Sequence, residues 1–507
     1  MKTYHTIKTL ALGGIAMFSL ASCSLDYEPL SEPSEITQGG QTETSTAVLK
    51  DKAAADAQLK SLYELFRNRQ EHTHLDYLLI GDSHSDNAYA GTTGAEVVPY
   101  ETNSIDASNS VLSRDWNRYL EDIAKANVLI NGVEQLKENG QISETEYHSY
   151  KAQGEIFRAL MMFRMARLWG SFPVITTIAK TITSDNINEV YPTYYPPRKT
   201  PKECYEQIIA DLTDAEQYAP DNDNSDRTKM TKTVAQAMLA KVYAEKEVQD
   251  YDKVIAYADK VMNTTGVELE DSYETLWGYD ETAIDCMKRN TKEGILEVHW
   301  SGGGNWETWM YGRQLDNWDY YFTWAKWITP SRDIINDFDK EGDEVRKNQA
   351  IVYYACTWSN YYPASNYPFM YKLRSSYNNI YWVRLADIIL MKAEAEAYKG
   401  NLAESAKLVN QIRKRAKLKE LTSDKTGSKE SMIEAVLHER RLELAFEGER
   451  WFDLCRNNKV EQYLNGIDNR DSGRIRQVKQ FDSNSYLLPI PQTALDQNTN
   501  LEQNPGY

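Results

Sequence analysis

Apolar residues recur at spacings of three and four through most of this chain, in stretches that follow one another closely. Residues 53–69, 111–133 and 144–169 show the pattern first, and a period near 3.6 predicts an amphipathic helix for each. After a proline break at Tyr195-Pro196-Pro197 the pattern returns over 201–218, 231–247 and 251–262, and again over 383–399, 402–416 and 431–447. A helix from Tyr381 to Tyr398 should stop at Gly400, and the next one starts almost at once. Between residues 266 and 381 the helical period fades while Gly, Asn, Trp and Tyr accumulate. That change predicts loops and short strands carried on a helical scaffold, the kind of excursion where binding residues tend to sit. The expected fold class is mainly α, built of short-linked helix pairs with one long loop-rich insertion.

Small residues stand where paired helices would touch, at Ala240, Ala256, Ala395 and Ala406. The pairs resemble tetratricopeptide hairpins: Leu239-Ala240-x-x-Tyr243 and Ala395-x-x-Tyr398 match part of that repeat. Their spacing is irregular, which argues against a regular solenoid.

The N-terminus adds an address. Lys2 and Lys8 precede an apolar stretch over residues 10–21, too short for the ~20 residues of a membrane span. It ends in Leu20-Ala21-Ser22-Cys23, which resembles the lipobox of bacterial lipoproteins and makes Cys23 the expected acylated residue. Residues 24–50, rich in Ser, Thr, Glu and Gly, read as a tether. Cys204, Cys286, Cys356 and Cys455 form no CxxC pair, so buried free thiols are the expectation rather than a disulfide framework. A net charge of −18 argues against nucleic acid as partner.

Two C-terminal stretches carry a family resemblance. Arg440-Arg-Leu-Glu-Leu-Ala-Phe-Glu-Gly-Glu-Arg-Trp-Phe-Asp-Leu454 is similar to the RRxELxFEGxRxFDL signature of SusD/RagB proteins. Leu487-Leu-Pro-Ile-Pro-Gln492 and Asn500-Leu-Glu-Gln-Asn-Pro-Gly-Tyr507 resemble that family's ending, and residues 383–395 and 169–175 agree with it. The resemblance implies a SusD-like fold and an outer-membrane, cell-surface lipoprotein. It further implies a lid over a SusC-like TonB-dependent barrel transporter, to which the protein hands a glycan or, in some members, a peptide. On this reading the chain divides into a signal peptide (1–22), an acylated tether (23–50), a helical region (51–265), a ligand-binding insertion (266–381) and a C-terminal helical region (382–507). Within the signature, Arg440 with Glu443, Glu447 with Arg450, and Arg450 with Asp453 are expected as helix-neighbour ion pairs, each contributing a few tenths of a kcal/mol if exposed. Leu437, Leu444 and Trp451 recur at seven and should face the core, provided the helix survives Gly448.

No catalytic set emerges. Gly81-Asp82-Ser83-His84 resembles the nucleophile block of GDSL hydrolases, but none of the seven His has an Asp three positions before it to complete the activating pair. HExxH, GxSxG and P-loop patterns are missing. A non-catalytic binding protein with no cofactor and no metal is therefore expected, with peptide capture or a surface hydrolase as the competing readings.

The aromatic load points to the ligand. The chain has 34 Tyr and 12 Trp, and Trp300, Trp306, Trp309, Trp318, Trp324 and Trp327 crowd into one stretch with Tyr311, Tyr320, Tyr321 and Phe322. Flat rings cover the apolar face of a pyranose while Asn, Asp and Arg bond its hydroxyls. Trp306, Trp309, Tyr311, Trp318 and Tyr320 are the first candidates; Trp324 and Trp327, just before a helix over 330–338, read as core. The early loop over 72–100 supplies Asp86, Asn87 and Tyr89 as further candidates, with Asp82 and His84 beside them, and the resemblance implies that it meets the insertion at one surface. Tyr353, Tyr354, Trp358, Tyr361, Tyr362 and Tyr367 form another cluster, ranked below the first because it lies nearer a family structural segment.

Replacing Cys23 with Ala should leave folding intact and release the protein from membranes, because acyl chains contribute about 0.8 kcal/mol per buried methylene and nothing else would hold it. Fractionation in high salt checks this; a variant that stays with the membrane contradicts the anchor.

Overall fold

The structure, a computed structural model, describes residues 49–91, 94–300, 327–375 and 377–507. The predicted helices form, with sharp starts. Glu144–Trp169 is opened by Ser143, which accepts the Glu146 N–H while the Glu146 carboxylate reaches back. Pro201–Tyr218 is opened by Thr200 and Glu203 in the same way, with proline in the first turn. Asp51 and Asn109 cap Lys52–Asn68 and Ser110–Glu138. Tyr251–Met262 and Leu402–Arg415 follow the pattern closely, and Gly400, at φ 84°, stops Leu385–Lys399. The 231–247 stretch divides into the helix Lys232–Tyr243 and a short 3-10 turn.

Successive helices pack on their neighbours in the chain. Ser110–Glu138 lies on Glu144–Trp169, which lies on Pro201–Tyr218; Tyr251–Met262 links Lys232–Tyr243 to Leu385–Lys399, and this last helix touches both Leu402–Arg415 and Lys429–Glu443. One apolar core runs through them all.

The described residues of the insertion include the short strands expected there. The strand Gly294–His299 pairs antiparallel with Asn379–Arg384, in the register Leu296↔Val383 and His299↔Asn379. The first residues of the expected helix, 381–384, therefore belong to a strand, where Tyr381, Trp382 and Val383 suit a pleated surface better than a helix. Ile351–Tyr354 pairs with Tyr367–Met370, and two helices, Arg332–Glu341 and Glu344–Ala350, precede this pair in the chain. Cys204, Cys286, Cys356 and Cys455 are free thiols. Among the described residues no helix is long and apolar enough to cross a membrane.

The signature departs from the single helix expected over 431–447. Lys429–Glu443 ends early, Phe446 and Gly448 take positive φ (61° and 81°), and a new helix runs over Arg450–Arg456. Asp82 stabilises this bend: its carboxylate accepts the N–H groups of Phe446 (3.1 Å) and Gly448 (2.9 Å). The approach is close enough that a Cβ on Gly81 would stand 2.2 Å from the Gly448 carbonyl oxygen. Leu437, Leu444 and Trp451 still face the core.

Because the chain bends, the charges expected to pair along one exposed helix pair with distant elements instead. Arg440 joins Asp387 and Asp453, both at 2.8 Å. Glu443 meets Arg384 (2.7 Å), Arg346 (3.2 Å) and Arg415. Glu447 meets Lys372 (2.6 Å) and Arg384 (2.7 Å), and Arg450 holds Asp86 through two bonds of 2.8 and 2.9 Å. All these side chains lie in the interior or at its edge. Burial resists charge on Glu443, but Arg415, Arg384 and Arg346 outweigh it and hold the carboxyl well below the usual range. A buried charge stripped of its partners is far costlier than an exposed one.

Glu443→Ala should therefore destabilise the fold by about 3–5 kcal/mol, since it removes from the interior the carboxylate that three buried guanidiniums share. Glu404→Ala, which removes the exposed partner of Lys407, should be nearly silent. Equilibrium denaturation of the two variants checks the contrast.

Candidate functional site

The early loop and the insertion meet. Ala88–Tyr89 pairs antiparallel with Thr329–Pro330, in the register Ala88↔Pro330 and Tyr89↔Thr329. Ser331 extends the junction, its N–H reaching the Asn87 carbonyl at 2.9 Å and its hydroxyl the Asp86 carbonyl at 2.6 Å. Two short strands would be marginal alone; here they seat an aromatic cluster.

The cluster has a buried layer and a half-exposed one. Tyr89 stacks on Tyr361 with centroids 4.3 Å apart. Tyr89 donates to Asp471 (2.6 Å) and accepts from the Arg332 N–H (3.0 Å), while Tyr361 donates to Glu101 (2.8 Å). Burial pushes the Glu101 carboxyl up, against the pull of Arg474 and of the Ala90 and Ile475 N–H groups. Tyr367 and Phe369 complete the buried layer, 5.3 Å apart. Above it, Trp358 meets the Tyr367 ring edge-to-face at 4.4 Å, and Tyr362 carries the Arg332 guanidinium at 4.2 Å and bonds the Pro330 carbonyl at 2.8 Å. Trp358 and Tyr362 are half-exposed; Tyr353 and Tyr354, on the neighbouring strand, are each 38% exposed. Rings held in this way and partly exposed to solvent can stack on a flat apolar ligand face with little ordering cost.

The early-loop candidates fall elsewhere. Asp86, Asn87 and Tyr89 have no exposed surface. Asp86 is engaged by Arg450 and by Arg441 at 3.4 Å. Asn87 donates to Asp82 (2.9 Å) and accepts from Arg441 (3.0 Å). These three position the site from behind, with their polar groups already engaged, and offer a ligand no free surface. The Gly-Asp-Ser triplet is structural too. Ser83 bonds the Trp327 carbonyl at 3.2 Å, and His84 packs on Trp451 at 4.1 Å with Nδ1 against the Tyr100 carbonyl. Burial pushes Asp82 up to about 7, despite Asn87 and the Gly448 and Phe446 N–H groups, and brings His84 down to about 4. Nothing in this arrangement activates Ser83 as a nucleophile.

Trp327 packs against the core, as its place before a helix suggested, and Trp300 is buried. Cys23, Trp306, Trp309, Tyr311, Trp318, Tyr320 and Trp324 lie outside the described residues. Sequence reasoning missed Arg332: its role depends on the Tyr362 ring being brought beneath it, and no local pattern announces that. Among the described residues no cluster of His, Cys, Asp or Glu is placed to hold a metal ion.

Comparison with known proteins bears on the family and the fold. A family model described as "SusD family" matches residues 292–507, and one described as "Starch-binding associating with outer membrane" matches 41–244. The chain belongs to the SusD/RagB family. SusD-like protein P2 of Formosa agariphila is 27% identical over 441 residues, 79% of this chain and 81% of the relative. A SusD-like protein of Bacteroides ovatus is 24% identical over 420 residues, 74% and 70% of the two chains. Among solved structures, a SusD homolog from Bacteroides thetaiotaomicron superposes with a TM-score of 0.72 at 20% identity, covering 91% of this chain and 98% of that one. A laminarin-binding SusD-like protein gives 0.68 at 22% identity, covering 90% and 100%. The SusD fold expected from the signature is thus the fold observed, and the helical scaffold and junction described above are built on it.

Proposed function

We propose that this chain is a non-catalytic glycan-binding protein, held at the outer surface of the outer membrane by acylated Cys23, which captures oligosaccharide or polysaccharide for a SusC-like TonB-dependent transporter. Three considerations support this. The N-terminal match carries a starch-binding, outer-membrane description. A protein of the same fold binds laminarin. The observation that carries the reading is the aromatic surface of Trp358 and Tyr362, seated on buried rings at the junction of the early loop and the insertion.

The Trp-rich stretch directly precedes the strand Thr329–Pro330 of that junction. In this reading Trp306, Trp309, Tyr311, Trp318 and Tyr320 add further stacking faces to the same site. Arg332, with no carboxylate partner among the described residues, keeps the Tyr362 ring in place through its guanidinium. The ligand needs alternating apolar and hydroxylated faces, which a pyranose chain has.

Affinity electrophoresis against a panel of polysaccharides, with calorimetry on those that retard the protein, tests the reading. Trp358→Ala, Tyr362→Ala, Trp306→Ala and Trp318→Ala should each weaken binding by about 0.5–1.5 kcal/mol, the scale of one aromatic contact, in protein that still melts cooperatively. Failure of the wild type to bind any member of a broad panel, or full-strength binding by all four folded variants, contradicts it.

A further inference from the structure

A second concave surface lies on the helical scaffold and shares no residue with the aromatic site. The helix Ser110–Glu138, the segment 173–196 and the C-terminal residues 494–501 line a small open groove, a concave and mostly apolar surface of the kind that holds small ligands. Its floor and walls include Trp116, Tyr195, Pro196 and Leu501, and its rim carries the amides of Asn117 and Gln497.

Three features of this groove point to one kind of occupant. First, none of its lining residues is charged, although the chain is 26% charged and carries a net −18. A charged peptide, a nucleotide or an anionic headgroup would find no counter-ion there. Second, the Asn117 and Gln497 side chains bond no described residue, so each keeps a donor and an acceptor for a ligand hydroxyl. Third, the walls are fixed in advance. Asn498 and Asn500 donate to the carbonyls of Pro196 (2.9 Å) and Tyr195 (2.7 Å), Asn127 donates to the Ile175 carbonyl (2.9 Å), and Trp116 is braced edge-to-face by Trp169 at 5.2 Å. A rigid slot with apolar walls, a tyrosine ring and two amides suits an uncharged ring compound with one apolar face and several hydroxyls.

We propose that this groove is a second glycan-binding site, taking a single neutral pyranose unit of the same polymer that the aromatic site grips. The inference rests on the glycan reading above and extends it. Two sites on one rigid scaffold hold a long chain far better than either does alone, because binding at one raises the effective concentration of sugar at the other. A short oligosaccharide that fills only the aromatic site gains nothing from the groove.

Chain length therefore provides the test. Binding of a polysaccharide that retards the wild type, and of short oligosaccharides cut from it, is measured for wild type, for Tyr195→Ala/Gln497→Ala, and for Tyr195→Phe as the control that keeps the ring. The double variant should lose about 10-fold or more in polysaccharide affinity, a modest share of the usual gain from bivalency. It should bind the oligosaccharides as wild type does and keep its melting temperature; Tyr195→Phe should match wild type on both ligands. In a Trp358→Ala/Tyr362→Ala background, adding the groove changes should remove the residual polysaccharide binding. Polysaccharide affinity unchanged in the double variant overturns the second site and leaves the first standing, as does an equal loss on short and long ligands. A wild type that binds no glycan overturns the preceding reading and this one together.

Discussion

Burial of the signature charges is the constraint on which the rest of this structure depends. Arg384, Arg415 and Arg346 converge on Glu443, Arg440 spans Asp387 and Asp453, and Arg450 reaches Asp86. Each ion is costly to take out of water and stays charged only because its partners come with it. Those partners belong to the early loop, the strand Asn379–Arg384, the helix Glu344–Ala350 and the helices Leu385–Lys399 and Leu402–Arg415. One set of charges therefore ties the helical scaffold to the insertion, and the pieces must assemble together or leave charges stranded.

The bend at Phe446 and Gly448 follows from the same constraint. It turns the signature through the interior rather than along a surface, and Asp82 anchors it by accepting two of its N–H groups. Anchoring the bend fixes the early loop, since Asp82 also holds Asn87 and Arg450 holds Asp86. The next two residues, Ala88 and Tyr89, then pair with the insertion and set the aromatic rings in their places. The path from a buried carboxylate to the proposed binding surface is only a few residues long.

Much of the scaffold was legible from the sequence because helices are encoded locally. The spacing of apolar residues and the capping pairs Ser143/Glu146 and Thr200/Glu203 settle the helices without reference to anything distant. Pairings across the chain are not encoded that way. Asp86 and Arg450 are 364 positions apart, so Asp86 looked like a loop acid free for a ligand when it is a buried anchor. Tyr89 looked like a surface ring for the same reason. Residues 381–384 of the strand Asn379–Arg384 were read into a helix because their partner, Gly294–His299, lies far away in the sequence. The cluster of Tyr361, Tyr362 and Tyr367 with Trp358 could be named from composition alone, but its layering into buried and half-buried rings comes only from the packing.

Hydrogen exchange with and without a short bound oligosaccharide tests the central claim most directly, because it maps the contact without altering a residue. Local protection reports where a ligand limits opening. The account predicts slowed exchange in the segments around 88–91, 327–331 and 355–366, with the helices Leu385–Lys399 and Lys429–Glu443 unchanged. Protection confined to the helical scaffold, with the aromatic junction exchanging as it does in the free protein, would contradict it.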